Sequence, residues 1–423
     1  MTDRASLEEI ASCVAGYDPK ALPVAQAQEF IARLVPRVRA VEKVALRSGL
    51  GRVLAHDVVS ATDVPSHDNS AMDGYALRTA DAFDGATLRV IGEVAAGQVA
   101  TRTLVAGEAY RIMTGAPIPP GADAVIMQEQ CERRGDEVTL KRAVKLRDHV
   151  RDRGEDVRAG EVVLRRGLTL RAAEVGTLAS ARRARVAVTR RPIVALLATG
   201  DELRDVGEPL DPGAIPDTNS YALAALVREA GGEPRQLPIV RDDRAALAAA
   251  MREARSADLI VSTGGVSVGE HDHVKAVLEE LGAELTAWRV DMKPGKPVAL
   301  AVLDGTPYYG LPGNPVSSMV AFTLFVRPAI RAALGCTEPL DLARATVRLE
   351  APLTVRGERR QFLRARVRFA DGRLVAAPMA RQGSGVLSSM LGANGLIVVD
   401  AGMHSFDAGA EASVLIIGPL GRD

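Results

Sequence analysis

Cysteine is scarce in this 423-residue chain: Cys13, Cys131 and Cys336 lie far apart and form no CxxC pair. That spacing argues against a disulfide framework or a zinc site and fits a reducing cytoplasm. Aromatic residues make up only 3%, too few for a base-stacking nucleic-acid surface. Neither sign of charge is in excess, with 53 Lys and Arg against 53 Asp and Glu. Such a balance gives no pull toward nucleic acid or an acidic membrane. No run of 18 apolar residues occurs, so no membrane span is expected, and the polar start MTDRASLEEI lacks a signal peptide's apolar core. Two nucleotide signatures are missing as well. Without GxxxxGK[ST] the chain is not a P-loop NTPase, and without GxGxxG no dinucleotide cofactor is expected. From these absences a cytoplasmic protein is expected, with neither nucleic acid nor membrane as partner, and the length allows two to four domains.

What is present begins with Lys293-Pro294-Gly295-Lys296-Pro297. Pro-Gly suits the centre of a type II β-turn, which would bring the two lysines together. Like charges so placed make sense if an anion sits between them. Around this turn the pattern alternates between strand and helix, as in a mostly parallel α/β sheet. Strands are expected at 192–199, 235–240 and 258–263, with a hairpin from 298–303 and 307–310. Helices are expected at 218–230 (capped by Thr218 or Asn219), 243–255 (capped by Asp242), 272–281 and 315–334. Asn314 should cap the last helix, Pro315 should open it and Pro328 should kink it.

The flanks read differently. Short alternating segments with turn signals over 61–146 indicate a small β domain. The stretches on either side of it, 1–60 and 147–182, are expected to form one discontinuous domain into which the β domain is inserted. The α/β domain occupies 183–337, and 338–423 is again all-β. The fold class is therefore multidomain α/β plus β.

Three loops of the α/β domain follow strand ends, where ligands bind in open α/β sheets. They are Thr199–Leu203, Ser262–Asp272 and Gly310–Ser318. Glycines let backbone approach a ligand, and free N–H groups at helix starts attract anions. Gly264, Gly265, Ser267, Pro312, Gly313 and Asn314 are the candidate substrate-binding residues. Glu202 and Asp272 in these loops are candidate Mg²⁺ ligands, since Mg²⁺ takes few carboxylates when substrate phosphates supply the rest. Asp242 and Asp243 stand at another helix start, where carboxylates often serve only as caps; Asp242 is also carried as a catalytic candidate.

Together these motifs resemble the molybdopterin molybdenumtransferases, the MoeA type and the gephyrin E domain. The resemblance starts at DVPSHDNSAMDGYA (63–76) and continues with RIMTGAP (111–117) and RGED (153–156). It runs on through TGDEL (199–203), DTN (217–219), STGGVSVGEHD (262–272), KPGKP (293–297), GLPGNPVS (310–317) and Gln382-Gly383-Ser384. His67, Trp288-Arg289 and the histidines flanking Asp272 depart modestly from the family pattern. TGGxSxG and GLPGNP also occur in the related adenylyltransferases, but those are single α/β domains.

The resemblance implies insertion of molybdenum from molybdate into adenylated molybdopterin, with release of AMP and use of a divalent cation. It implies that Lys293, Lys296, Ser317, Arg364 and Ser384 form the molybdate site. It also places Ser267, Asp272 and Glu202 near the pyrophosphate and Mg²⁺, and gives Asp73 and Thr114 roles in the β domain. An elongated homodimer is implied, in which that β domain reaches the partner subunit's site and the C-terminal domain is barrel-like. Contact with the molybdopterin adenylyltransferase and with recipient molybdoenzyme systems follows from the same likeness. The competing readings are an adenylyltransferase and a non-catalytic scaffold. The domains outside 183–337 argue against the first. A scaffold of the gephyrin kind needs a further adenylyltransferase-like domain and a linker.

Overall fold

The computed structural model describes residues 22–265, 273–287 and 289–422. Its centre is a six-stranded sheet in the order Glu233–Gln236, Ile193–Ala198, Leu259–Thr263, Thr306–Leu311, Ala299–Leu303 and Glu284–Ala287. The first four strands are parallel; Ala299–Leu303 runs antiparallel to them, and Glu284–Ala287 pairs antiparallel with it and so regains the direction of the first four. The inner strands are near-continuous apolar runs because both faces of the sheet are covered. Val194, Leu196, Leu259 and Val261 pack on one face with Leu223, Val227, Val316 and Phe322. Ala195, Leu197 and Ile260 pack on the other with Leu247, Met251, Val274 and Val277. The period-2 alternation of a strand thus feeds two helical layers.

The edge strand differs from its expected range of 235–240. It spans Glu233–Gln236, and Val240 continues only as an isolated bridge to Thr199. Its polar sequence, with Pro234 inside it, hides the strand; an edge position is where a proline is tolerated.

The long helix spans Pro315–Ala333, and 72% of its apolar stretch is buried within the protein. Its hydrophobicity is that of a core helix. Around Pro328 it contains a π-helical turn, Phe322–Val326, in which Arg327 N–H reaches back to Phe322 O. Proline lacks the N–H that would normally engage the carbonyl four residues earlier. That carbonyl, Leu324 O, instead accepts from Gln28 Nε2 at 3.4 Å. Gln28 lies on helix Val24–Leu34, whose Val24, Ala27, Phe30 and Ile31 join the same central cluster.

Val41–Ala45 pairs with Arg185–Thr189, and Val58–Val59 with Val162–Leu164. These ribbons enclose a small core of Leu54, Leu170, Leu178, Val186 and Val188. Between them in sequence lies a second six-stranded sheet, running from Ala124–Met127 through Gly74–Leu77, Glu108–Ile112, Thr87–Val94 and Glu137–Leu140 to Cys131–Arg134. At the other end of the chain, Arg360–Ala370, Arg373–Pro378, Arg344–Leu349, Glu411–Ile416 and Gly395–Val399 pair in that order. The last pairs back with the first, closing a five-stranded barrel.

Candidate functional site

From Ile193–Ala198 the sheet extends one way to Glu233–Gln236 and the other way to Leu259–Thr263. A crevice is expected beyond the strand ends at such a switch point. The cleft found there has a volume of about 820 Å³, and Gly200, Glu202, Asn219, Asp242, Gly264 and Gly313 contribute to its lining. Gly264 has a backbone φ of +87°, and a Cβ there would lie 2.4 Å from Thr199 O. Only glycine lets these two loops meet.

Two helix caps differ from expectation, and both differences matter to the cleft. The 218–230 helix is capped by Asp217, only 3% exposed, which accepts from Ser220 N–H at 3.0 Å. Asn219 is thereby released, and its Nδ2 donates to Thr263 Oγ1 at 2.8 Å and to Gly313 O at 2.7 Å. Likewise Asp243, not Asp242, caps Arg244–Ala254 by accepting from Ala246 N–H. Asp242 instead accepts from Thr199 Oγ1 at 2.9 Å at the wall of the cleft. Sequence spacing cannot separate adjacent acidic residues in these roles, because either one can start the helix.

Asn314 and Pro315 open the long helix as expected, but the Asn314 side chain makes no capping bond. The first free donor, Val316 N–H, is taken by Ser384 O of the barrel segment at 3.1 Å. Gly385 and Leu387 from that segment also line the cleft, residues that no sequence signal marks.

The lysine segment differs from the expected type II turn. Lys293–Pro294 is a cis peptide, Gly295 has a φ of +103°, and no turn hydrogen bond links Lys293 to Lys296. Gly295 packs against the long helix: a Cβ there would lie 3.5 Å from Ser317 O. Met292–Lys293 pairs in parallel with the barrel strand, setting Lys293 opposite Gln361. Three residues along that strand, Arg364 is 1% exposed. Its Nε donates to Ser389 Oγ at 3.2 Å, and its Nη2 donates to the carbonyls of Arg381 and Gly383, each at 3.2 Å. Gln382 clamps the Arg364 backbone from both sides, accepting its N–H and donating to its carbonyl.

Burial lowers the Arg364 guanidinium's pKa from its usual value, yet an arginine stays protonated. Among the described residues no carboxylate pairs with it. A buried cation so placed is costly unless an anion joins it. The fold thus strings Lys293, Lys296, Ser317, Ser384 and Arg364 along one junction between the α/β domain and the barrel.

Glu202 and Asp242 line the cleft, while Asp217 is engaged as a cap. Among the described residues no three His, Cys, Asp or Glu cluster to hold a metal by themselves. The donor set fits Mg²⁺, which needs only one or two carboxylates beside phosphate and water oxygens. Ser267, Asp272 and Trp288 lie outside the described residues. Asp73 immediately precedes strand Gly74–Leu77 and Thr114 lies in the turn after Glu108–Ile112, at one end of the second six-stranded sheet, and neither lines the cleft within this chain.

A larger cleft, about 940 Å³, lies on the other side of Gly200 and Leu203, bordered by Asp201, Arg204, Glu208 and Arg241. It shares the first loop, but neither Gly264 and Gly265 nor Gly313 line it, and it does not reach the lysine segment.

Comparison with known proteins agrees with this layout. Residues 22–181 match the MoeA N-terminal region (domain I and II), 195–332 a probable molybdopterin binding domain, and 346–417 the MoeA C-terminal region (domain IV). A molybdopterin molybdenumtransferase from a Nostoc species is 38% identical, covering 91% of this chain and 92% of that protein. One from Haemophilus influenzae is 37% identical, over 93% and 98%. The crystal structure of a molybdopterin biosynthesis MoeA protein from Pyrococcus horikoshii superposes with a TM-score of 0.81 at 31% identity, covering 94% of this chain and all of that one. The chain belongs to the MoeA family of molybdopterin molybdenumtransferases.

Proposed function

We propose that this protein transfers molybdenum from molybdate into adenylated molybdopterin, releasing AMP, as a step in molybdenum cofactor synthesis. The observation that carries the reading is the junction itself. A cleft of nucleotide size, walled by glycine loops, is lined by Pro297, Pro315 and Gly385, neighbours in sequence of Lys296, Ser317 and Ser384, from segments of two domains. The glycine loops suit a phosphate-bearing ligand, and Gly264, Gly265, Pro312, Gly313 and Asn314 are the residues we assign to it. Molybdate is a tetrahedral dianion. Lys293, Lys296 and Arg364, with Ser317 and Ser384 as donors, suit it in charge and geometry.

Breaking the phosphoanhydride consumes one water and leaves AMP and the pterin phosphate. Mg²⁺, held by Glu202 and Asp272 with Asp242 nearby, would supply charge stabilisation for the leaving phosphate. Asp242 accepts from Thr199 Oγ1, which fixes its carboxylate at the cleft wall. Asp73 and Thr114 complete the site from the second subunit of a homodimer in this reading. We place the enzyme in the cytoplasm, receiving adenylated substrate from an adenylyltransferase and serving recipient molybdoenzymes.

The deciding experiment incubates purified protein with adenylated molybdopterin and Mg²⁺, with and without molybdate. AMP release that rises with molybdate, together with cofactor able to activate an apo-molybdoenzyme, is expected. Bound substrate with no AMP release under any molybdate concentration would sink the reading.

A further inference from the structure

Asn219 lies at the start of its helix, yet its side chain caps nothing there. Gly313 O can only accept, so the Asn219 group facing it at 2.7 Å must be the amide nitrogen. The same nitrogen donates to Thr263 Oγ1, and that hydroxyl donates onward to Pro312 O at 3.2 Å. One side chain therefore engages two successive carbonyls of the third glycine loop, one directly and one through Thr263. With Thr263, it joins three cleft-lining segments: the helix start, the end of Leu259–Thr263, and Gly310–Pro315.

In a planar trans peptide the N–H points opposite to the C=O. Holding the Pro312 and Gly313 carbonyls against Thr263 and Asn219 turns the N–H groups of Gly313 and Asn314 the other way. Neither N–H has a backbone acceptor among the described residues. Gly313 is close against the second loop, since a Cβ on it would lie 3.7 Å from Gly264 Cα. We infer that Asn219 is a positioning residue: it orients the Gly313 and Asn314 amides as donors to the phosphate of the nucleotide part of the substrate. The inference rests on the function proposed above and assigns it a residue outside the reacting groups.

The test compares wild type with Asn219→Asp, which keeps the shape but sets a carboxylate oxygen against Gly313 O. AMP and molybdate binding are measured separately by calorimetry, alongside kcat and KM for AMP release. The expected result is AMP affinity reduced about tenfold or more, KM raised to match, and molybdate affinity within about twofold of wild type. Thr263→Val should reproduce the loss and Thr263→Ser should not, because serine keeps the relaying hydroxyl. That pair decides the matter if Asn219→Asp does not fold. Unchanged AMP affinity in Asn219→Asp overturns the inference, as does an equal loss for AMP and molybdate, which marks a purely structural role. If wild type binds neither AMP nor adenylated molybdopterin, the functional reading itself fails and the inference falls with it.

Discussion

Thr114 gives both of its hydrogen-bond donors to one oxygen of Asp73: its backbone N–H and its Oγ1 each lie 2.7 Å from Asp73 Oδ1. These bonds, the backbone one foremost, hold the Asp73 carboxyl below its ordinary pKa. The carboxylate is thus kept ionised on the exposed rim of a sheet that contributes nothing to the cleft of its own chain.

That placement makes complementation between subunits the informative experiment. Asp73→Asn and Asp242→Asn should each abolish most AMP release alone. Refolded as an equal mixture, they should recover about a quarter of wild-type activity: half of the dimers are mixed, and each mixed dimer holds one intact site. Activity no greater than that of the single variants would mean that Asp73 does not serve a neighbouring site.

Asp242 and Asp243 are adjacent in sequence but should respond differently to substitution. Asp243→Ala removes the helix cap and should cost about 1 kcal/mol in urea unfolding while leaving AMP release near wild type. Asp242→Asn keeps an oxygen for Thr199 Oγ1 and should unfold like wild type, but lose most activity. Reversed phenotypes would make Asp242 the structural residue of the pair.

How much of this was legible in the sequence follows from the same contrast. The buried parallel strands were readable because both of their faces are apolar; so were the glycine loops, which end those strands. The lysine segment suggests an anion by its composition, while its backbone departs from the turn that Pro-Gly predicts. A Pro-Gly pair fixes local preferences, whereas here Lys293 is held by pairing with a strand beginning at Arg360, far along the chain. Asn219 could be seen only as a cap, since its partners Thr263 and Gly313 are brought to it by the tertiary fold. That Arg364 meets no carboxylate among the described residues is likewise a property of packing, which no local pattern encodes.

A pH-dependent element lies away from the cleft. Glu108, with its side chain 7% exposed, accepts from Arg102 Nη2 at 2.7 Å and Arg89 Nη2 at 2.9 Å. Arg102 chiefly, then Arg89, pulls its pKa down from 4.5 to about 2. A depressed folded-state pKa contributes stability that is fully present above the unfolded value and fades as pH falls through the folded one. Wild type should therefore melt above Glu108→Gln at neutral pH, with the gap closing between pH 4.5 and about 2. A gap that stays constant down to the lower limit would show that the carboxylate's charge does not matter there.

The lysine segment allows the sharpest separation of ligands. Lys293→Ala or Lys296→Ala removes one cation from the set proposed to hold a dianion, a loss of about 1.5–3 kcal/mol for a charge-assisted hydrogen bond. Molybdate affinity should fall about tenfold to a hundredfold. Binding of adenylated molybdopterin should change little, because its proposed contacts are the glycine loops. Folding should hardly respond: Lys293 is exposed, and neither lysine forms an ion pair among those of the described residues. Raising molybdate should consequently restore AMP release to either variant, and the extra molybdate required should match the measured loss of affinity. A variant whose molybdate affinity is unchanged while its pterin affinity collapses would place the lysines on the substrate's phosphates. The oxyanion would then have to be held by Arg364 and the serines alone.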